Sequence, residues 1–188
     1  MRADRAMLNS GEEIVNVCQG ELSVSGDENV VLTCILGSCI ATCLHDPGRG
    51  LGGMNHILLP GRPGDSTRHN KFGIFSMEAL INELMRKGAR RKDLVAKVFG
   101  GASTFENGLG IGEKNAAFVR GFLEAEGIPI MAESTGGKQA RKVRFYPRSG
   151  DAQQSLSAEY VSNVTAPCNK DERRPAIPAR GAGQVELF

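Results

Sequence analysis

Two apolar, β-prone runs, Ile40 to His45 and Leu51 to Leu59, flank the segment Asp46-Pro47-Gly48-Arg49-Gly50. Proline presets φ at a turn corner, glycine supplies positive φ, and aspartate bonds its own backbone, so the segment is a strong turn signature. The runs are continuously apolar, as in well-buried strands, and together they read as a hairpin. No other feature constrains the fold as firmly.

The neighbouring sequence extends this pattern. Glu13 to Ser25 carries Ile14, Val15, Val17, Leu22 and Val24 in partly alternating order, reading as one or two short strands broken near Gly20. Val30 to Thr33 reads as a strand and Ile35 to Ser38 as a turn. Gly61 to Asn70 reads as a loop, followed by a helix over Gly73 to Lys87 with Ile74, Met77, Leu80, Ile81, Leu84 and Met85 at helical spacing. Gly88 is its expected stop. Leu94 to Phe99 reads as a strand. Glu113 to Glu126 reads as a second helix, with Phe118, Phe122 and Ala125 along one stripe and Val119 and Leu123 beside it. Ile128 to Ala132 is a further strand, and Val143 to Tyr146 and Ala152 to Ser157 pair across Pro147-Arg148-Ser149-Gly150.

Many strands with two separated amphipathic helices imply an α+β fold or a layered α/β sandwich with mixed sheets. The expected organisation is a polar arm over 1–12, one domain over 13–160, and a flexible tail over 161–188, rich in Pro, Ala, Asn and charge. The basic run Arg86 to Lys92 reads as a solvated helix end and loop rather than an acidic docking site.

Composition excludes several function classes. The net charge of +2, aromatics at 5% and the absence of Trp argue against a nucleic-acid partner. No apolar run approaches the roughly 20 residues of a membrane helix, and Met1 to Asn16 holds no apolar signal core, so a cytoplasmic chain without membrane insertion is expected. Five cysteines in a reducing compartment point to free thiols.

Chemistry concentrates at Cys39, which follows Gly37-Ser38, and at His56, the only histidine inside an apolar β-like run. An imidazole ionises a thiol, and a turn of this kind leaves backbone N–H groups free to bind an oxyanion. The competing reading is packing, because cysteine is among the most buried residue types and Cys34, Cys39 and Cys43 all lie in apolar surroundings. His45 and His69 read as solvated. The cysteine spacing fits no zinc pattern. Gly108-Leu109-Gly110-Ile111-Gly112 is neither a dinucleotide nor a P-loop motif, so tight turns are the expected use of these glycines.

Six stretches then stand in a recognisable order over residues 12 to 157. They are Thr33-Cys34-Ile35-Leu36-Gly37-Ser38-Cys39, Asp46-Pro47, Gly52-Gly53-Met54-Asn55-His56-Ile57-Leu58-Leu59-Pro60, Phe99-Gly100-Gly101-Ala102-Ser103, Ile111-Gly112-Glu113-Lys114-Asn115 and Ala132-Glu133-Ser134-Thr135-Gly136-Gly137. In these the sequence resembles the chemoreceptor glutamine deamidase family, CheD. The resemblance implies a layered α/β sandwich similar to bacterial toxin deamidases, and a catalytic set of Cys39, His56 and Thr33. It implies hydrolysis of receptor glutamines to glutamate through a Cys39 thioester, with His56 as base and acid and the Thr33 hydroxyl orienting the ring. It implies no cofactor and no metal. The implied partners are methyl-accepting chemotaxis receptors and, in some members, the phosphatase CheC. The alternative is a non-catalytic docking module for receptors or a CheC-type phosphatase.

Overall fold

The computed structural model of the chain describes residues 11–59, 66–103, 110–157 and 185–188. Residues 1–10 and 158–184, which carry most of the expected arm and tail, lie outside the described residues, as do 60–65 of the expected loop. Ten strands and two helices follow in the order β1 (Glu13–Asn16), β2 (Leu22–Ser25), β3 (Val30–Leu36), β4 (Ile40–Asp46), β5 (Leu51–Ile57), α1 (Ser66–Arg86), β6 (Val95–Gly100), α2 (Ile111–Ala125), β7 (Ile130–Thr135), β8 (Ala140–Tyr146), β9 (Asp151–Ser157) and β10 (Val185–Leu187) among the described residues.

The strands form two mixed five-stranded sheets, in the orders β1-β3-β8-β9-β10 and β2-β5-β4-β6-β7. The β4–β5 hairpin lies inside the second sheet, with Ala41 opposite His56 and Cys43 opposite Met54. Alternation along β4 divides its side chains between two cores. Cys39, Ala41 and Cys43 join Met54, Phe99, Leu32, Cys34, Leu36, Val143 and Phe145 in a core between the sheets. Ile40 and Leu44 join Ile57 and the helical Met77, Leu80, Ile81, Leu84, Val119 and Leu123 in a second core on the other face. The molecule is thus three layers, sheet on sheet on helices, which bears out the α+β layered sandwich and explains why both hairpin strands are buried throughout.

Several boundaries differ from the sequence expectation. Helix α1 starts at Ser66, inside the expected loop, because its first turns are polar and periodicity is silent there. It ends at Gly88, whose φ of 104° lets the Ala89 N–H reach back 3.0 Å to the Leu84 carbonyl. In α2 the buried stripe is Gly112, Asn115, Ala116, Val119 and Leu123, displaced from the expected phenylalanine line. The small residues let the helix backbone approach Gly101, while Phe118 and Phe122 pack at the margin. Strand β3 runs on to Leu36, leaving Gly37-Ser38 as the turn. The last residues do not belong to a flexible tail: β10 pairs antiparallel with β9, and Phe188 packs edge-on against Phe99 at 5.4 Å. The basic run is largely committed to its own chain, through Arg86–Glu83, Arg90–Asp93 and Arg91–Glu126 ion pairs.

Candidate active site

The Gly37-Ser38 turn between β3 and β4 is clamped from outside by three hydrogen bonds. All three carbonyls around the nucleophile candidate are held: Gly101 N–H donates to Cys39 O at 2.7 Å, Ala102 N–H to Gly37 O at 2.8 Å, and the Asn115 Nδ2 amide to Ser38 O at 2.7 Å. Peptide groups so held turn their N–H edges away from those donors. Among the described residues no backbone acceptor is paired with the N–H of Gly37, Ser38 or Cys39. Gly100 makes the clamp possible: at φ 116° a Cβ there would collide with the Cys39 carbonyl.

Cys39 lies just before β4, two residues from Ala41, and Ala41 stands opposite His56. Cys39 and His56 are therefore diagonal cross-strand neighbours on the face that looks toward the other sheet. Both are buried, at 3% and 6% exposure. The imidazole is oriented by the backbone: His56 Nδ1 lies 3.0 Å from the Val17 carbonyl. A carbonyl only accepts, so Nδ1 carries the proton and Nε2 bears the lone pair. Nε2 is buried and has no hydrogen-bond partner among the described residues.

The segment Val17 to Glu21 crosses from the first sheet to the second and is fixed to both. Val17 N–H donates to Thr33 O at 2.8 Å, Gly20 N–H to His56 O at 2.8 Å, and His56 N–H to Glu21 O at 3.0 Å. From this strap Gln19 reaches the thiol, with Cys39 Sγ donating to Gln19 Oε1 at 3.9 Å.

The structure brings Cys39 and His56 to one face without a hydrogen bond between them. Thr33 is buried, but Leu32, Cys34 and Leu36 point into the core between the sheets, so the Thr33 side chain lies on the opposite face of β3. Its hydroxyl donates to the Val143 carbonyl at 2.8 Å, not to His56; Thr33 meets the site through its own carbonyl, which holds Val17. Burial pushes the Cys39 thiol up to about 11, partly offset by its own backbone N–H, and burial lowers His56 against the opposing Val17 bond. The resting pair at neutral pH is a thiol and a neutral imidazole, in place of the expected thiolate–imidazolium.

The other cysteines and histidines fall elsewhere. Cys34 and Cys43 are free, fully buried and driven upward by desolvation, as packing residues. Cys18 is disulfide-bonded, against the expectation of free thiols throughout. His45 is buried rather than solvated, with Nε2 3.3 Å from the Arg148 carbonyl. The side chain of His69 lies outside the described residues. A cavity of about 330 Å³ lies around His45, Lys97 and Phe188, at the far end of β4 from Cys39. Its apolar lining holds neither member of the Cys39–His56 pair. Sequence reasoning missed Gln19, the Val17 carbonyl and the role of Asn115. Only Asn115 carried a usable signal, as a polar residue at the centre of an otherwise small or apolar helix stripe.

Comparison with known proteins gives a consistent family. Residues 58–155 match the family model described as CheD chemotactic sensory transduction. A Caulobacter vibrioides (strain NA1000 / CB15N) protein named "Probable chemoreceptor glutamine deamidase CheD" is 50% identical over 182 residues, covering 93% of this chain and 92% of its own. A Rhizobium rhizogenes protein of the same name is 53% identical over 191 residues, covering 97% and 100%. One from Agrobacterium fabrum is 47% identical over 188 residues, with the same coverages. Among solved structures, the Bacillus licheniformis hypothetical protein YfiH aligns at 15% identity and a TM-score of 0.44, over 69% of this chain and 62% of that one. On the family match and the near-full-length relatives, the chain belongs to the CheD family.

Proposed function

We propose that the protein is a glutamine deamidase acting on chemoreceptors, converting selected glutamine side chains to glutamate and ammonia, with Cys39 as nucleophile and His56 as general base and acid. One observation carries the assignment of roles. The buried Nε2 of His56, unpartnered among the described residues, shares a face with a thiol whose turn N–H groups have no backbone acceptor there.

On substrate entry, His56 Nε2 takes the Cys39 proton as Sγ attacks the glutamine carboxamide carbon. The carbonyl electron pair moves onto oxygen, where the Cys39 backbone N–H donates to it. Collapse breaks the C–N bond, the imidazolium proton leaves with ammonia, and a thioester remains. His56 then takes a proton from water, hydroxide adds to the thioester, and glutamate and the Cys39 thiol are released. Only the resident side chains and water take part in these steps. Thr33 serves as a positioning residue: its carbonyl fixes Val17, whose carbonyl fixes the imidazole, a backbone version of third-member logic.

Receptor cytoplasmic segments are the substrates in this reading, and a CheC-type phosphatase is a second partner. The alternative reading, a non-catalytic docking module, predicts that Cys39→Ala keeps full chemotactic signalling in cells. No helix of the described residues is long and apolar enough to cross a membrane. The deciding experiment incubates the protein with a receptor cytoplasmic fragment and follows glutamine-to-glutamate conversion by mass spectrometry. Conversion in the wild type and none in Cys39→Ala is expected; equal conversion in both would remove Cys39 from the reaction.

A further inference from the structure

We infer that Gln19 supplies the second hydrogen-bond donor to the oxyanion formed at Cys39. This rests on the deamidase reading above and adds a catalytic residue to it. The Gln19 carboxamide is the side-chain polar group, among the described residues, within hydrogen-bond reach of Cys39 Sγ, at 3.9 Å. It is delivered by a strap whose backbone is fixed at Thr33 and at both the N–H and the C=O of His56, so the point from which the side chain reaches toward the thiol is set before substrate arrives. Backbone anchoring of this kind distinguishes such a donor from an amide carried on a loose loop.

The resting contact has the thiol donating to Gln19 Oε1. That polarity must reverse during reaction. When the proton passes to His56 Nε2 and the Sγ–carbon bond forms, negative charge gathers on the substrate oxygen beside the thiol, and an acceptor facing it is repulsive. The terminal torsion of glutamine is broad and roughly two-fold, and its other end carries two N–H donors. A half-turn of the carboxamide exchanges the acceptor for a donor without moving the strap. The Cys39 N–H and Gln19 Nε2 then bind the oxyanion from two sides, and the pair relaxes when the C–N bond breaks and ammonia leaves with the imidazolium proton.

A rival role for the same contact makes the opposite prediction. If Gln19 merely occupied the substrate's place, its removal would unblock the thiol and raise activity. The test compares wild type, Gln19→Ala and Gln19→Glu on a receptor cytoplasmic fragment, and measures inhibition by a peptide aldehyde carrying the glutamate semialdehyde side chain. The aldehyde carbon bonds Sγ, and its oxygen takes the place of the oxyanion. Gln19 is solvent-exposed, so unchanged melting temperatures are expected. Gln19→Ala should lower kcat about 10- to 100-fold with little change in KM, toward the lower side of what a water-excluded donor contributes. Gln19→Glu, which presents only acceptors when ionised, should fall at least as far. Aldehyde affinity should fall in step with kcat. A Gln19→Ala kcat within about twofold of wild type, or above it, overturns the inference and leaves the deamidase reading standing; that reading fails separately if wild type and Cys39→Ala convert the fragment equally. Aldehyde affinity unchanged in Gln19→Ala overturns the inference whichever receptor glutamine is the substrate.

Discussion

The carbonyl oxygen of Val17 lies 3.0 Å from His56 Nδ1, and that contact decides which imidazole nitrogen carries the proton. It leaves the lone pair on Nε2, while burial holds Cys39 at about 11 and His56 below its usual range. In the proposed mechanism, activation of the thiol therefore belongs to the substrate complex and not to the resting protein. Alkylation of Cys39 by iodoacetamide, corrected with Cys39→Ala, should rise about tenfold per unit between about pH 7 and about pH 10 without a plateau. His56→Ala should cost deamidation about 10²- to 10⁴-fold while changing that alkylation profile little. A plateau setting in near neutrality would reveal a resident ion pair and contradict this account.

Gly100 and Gly110 both have positive φ, but only Gly100 abuts the Cys39 carbonyl; around Gly110 the space is open. Gly100→Ala should cost about 1–3 kcal/mol and lower kcat at least about tenfold, because the turn before Cys39 must shift. Gly110→Ala carries backbone strain alone and should leave kcat near wild type. Thermal melts and deamidation rates on the two variants separate strain from displacement; equal kcat losses would count against the clamp.

How much of this was legible depends on where each signal resides. The β4–β5 hairpin could be read because its apolar runs and its turn are local. Cys39 and His56 could be picked out as candidates because a thiol and an imidazole are reactive side-chain types visible in the sequence itself. The orientation of His56 could not, since a backbone carbonyl at Val17 has no residue signature. The same holds for β10: Val185–Leu187 become a strand only because β9 offers an open edge some thirty residues away. The α2 stripe was misplaced because large aromatics outweigh Gly112 and Ala116 in a periodicity count, whereas close packing selects the small residues.

Asn115 is 1% exposed and spends its amide on the Ser38 carbonyl. Asn115→Ala leaves that carbonyl without its donor and should cost about 1–3 kcal/mol. The turn also loosens, so kcat should fall about tenfold or more, with KM largely kept. If the melting temperature falls and kcat does not, Asn115 is a packing residue only.

The C-terminal strand closes the edge of the first sheet over the core. Ala152 and Phe188 exchange backbone bonds at 2.8 and 2.9 Å, Lys97 Nζ donates to the Phe188 oxygen at 2.7 Å, and Phe188 covers Phe99. Removing residues 185–188 should destabilise the protein by about 2–4 kcal/mol, chiefly through the lost aromatic ring. Cys39 lies at the other end of β4, so kcat below the melting transition should be retained. A truncated protein as stable as the full chain would show that β10 contributes nothing to the core.

Stability should form a dome in pH whose two limbs have different owners. His45 and His56 are held below 6.5 by burial, so the unfolded chain takes up protons first as pH falls, and stability declines below about 6.5. The thiols of Cys34, Cys39 and Cys43 are held above 9.0, so the unfolded chain loses protons first, and stability declines as pH rises past about 9. Lys142, lowered by burial from 10.5, opposes that decline only near the top of the range. Glu133, held below 4.5 by Arg120, acts at lower pH than the histidines. Melting temperature followed from about pH 5 to about pH 10 should therefore peak between the two limbs. His45→Gln should shallow the acid limb and Cys43→Ala the alkaline one, each leaving the other unchanged. A melting temperature flat from pH 6.5 down to pH 5 would show that neither histidine is buried in its neutral form.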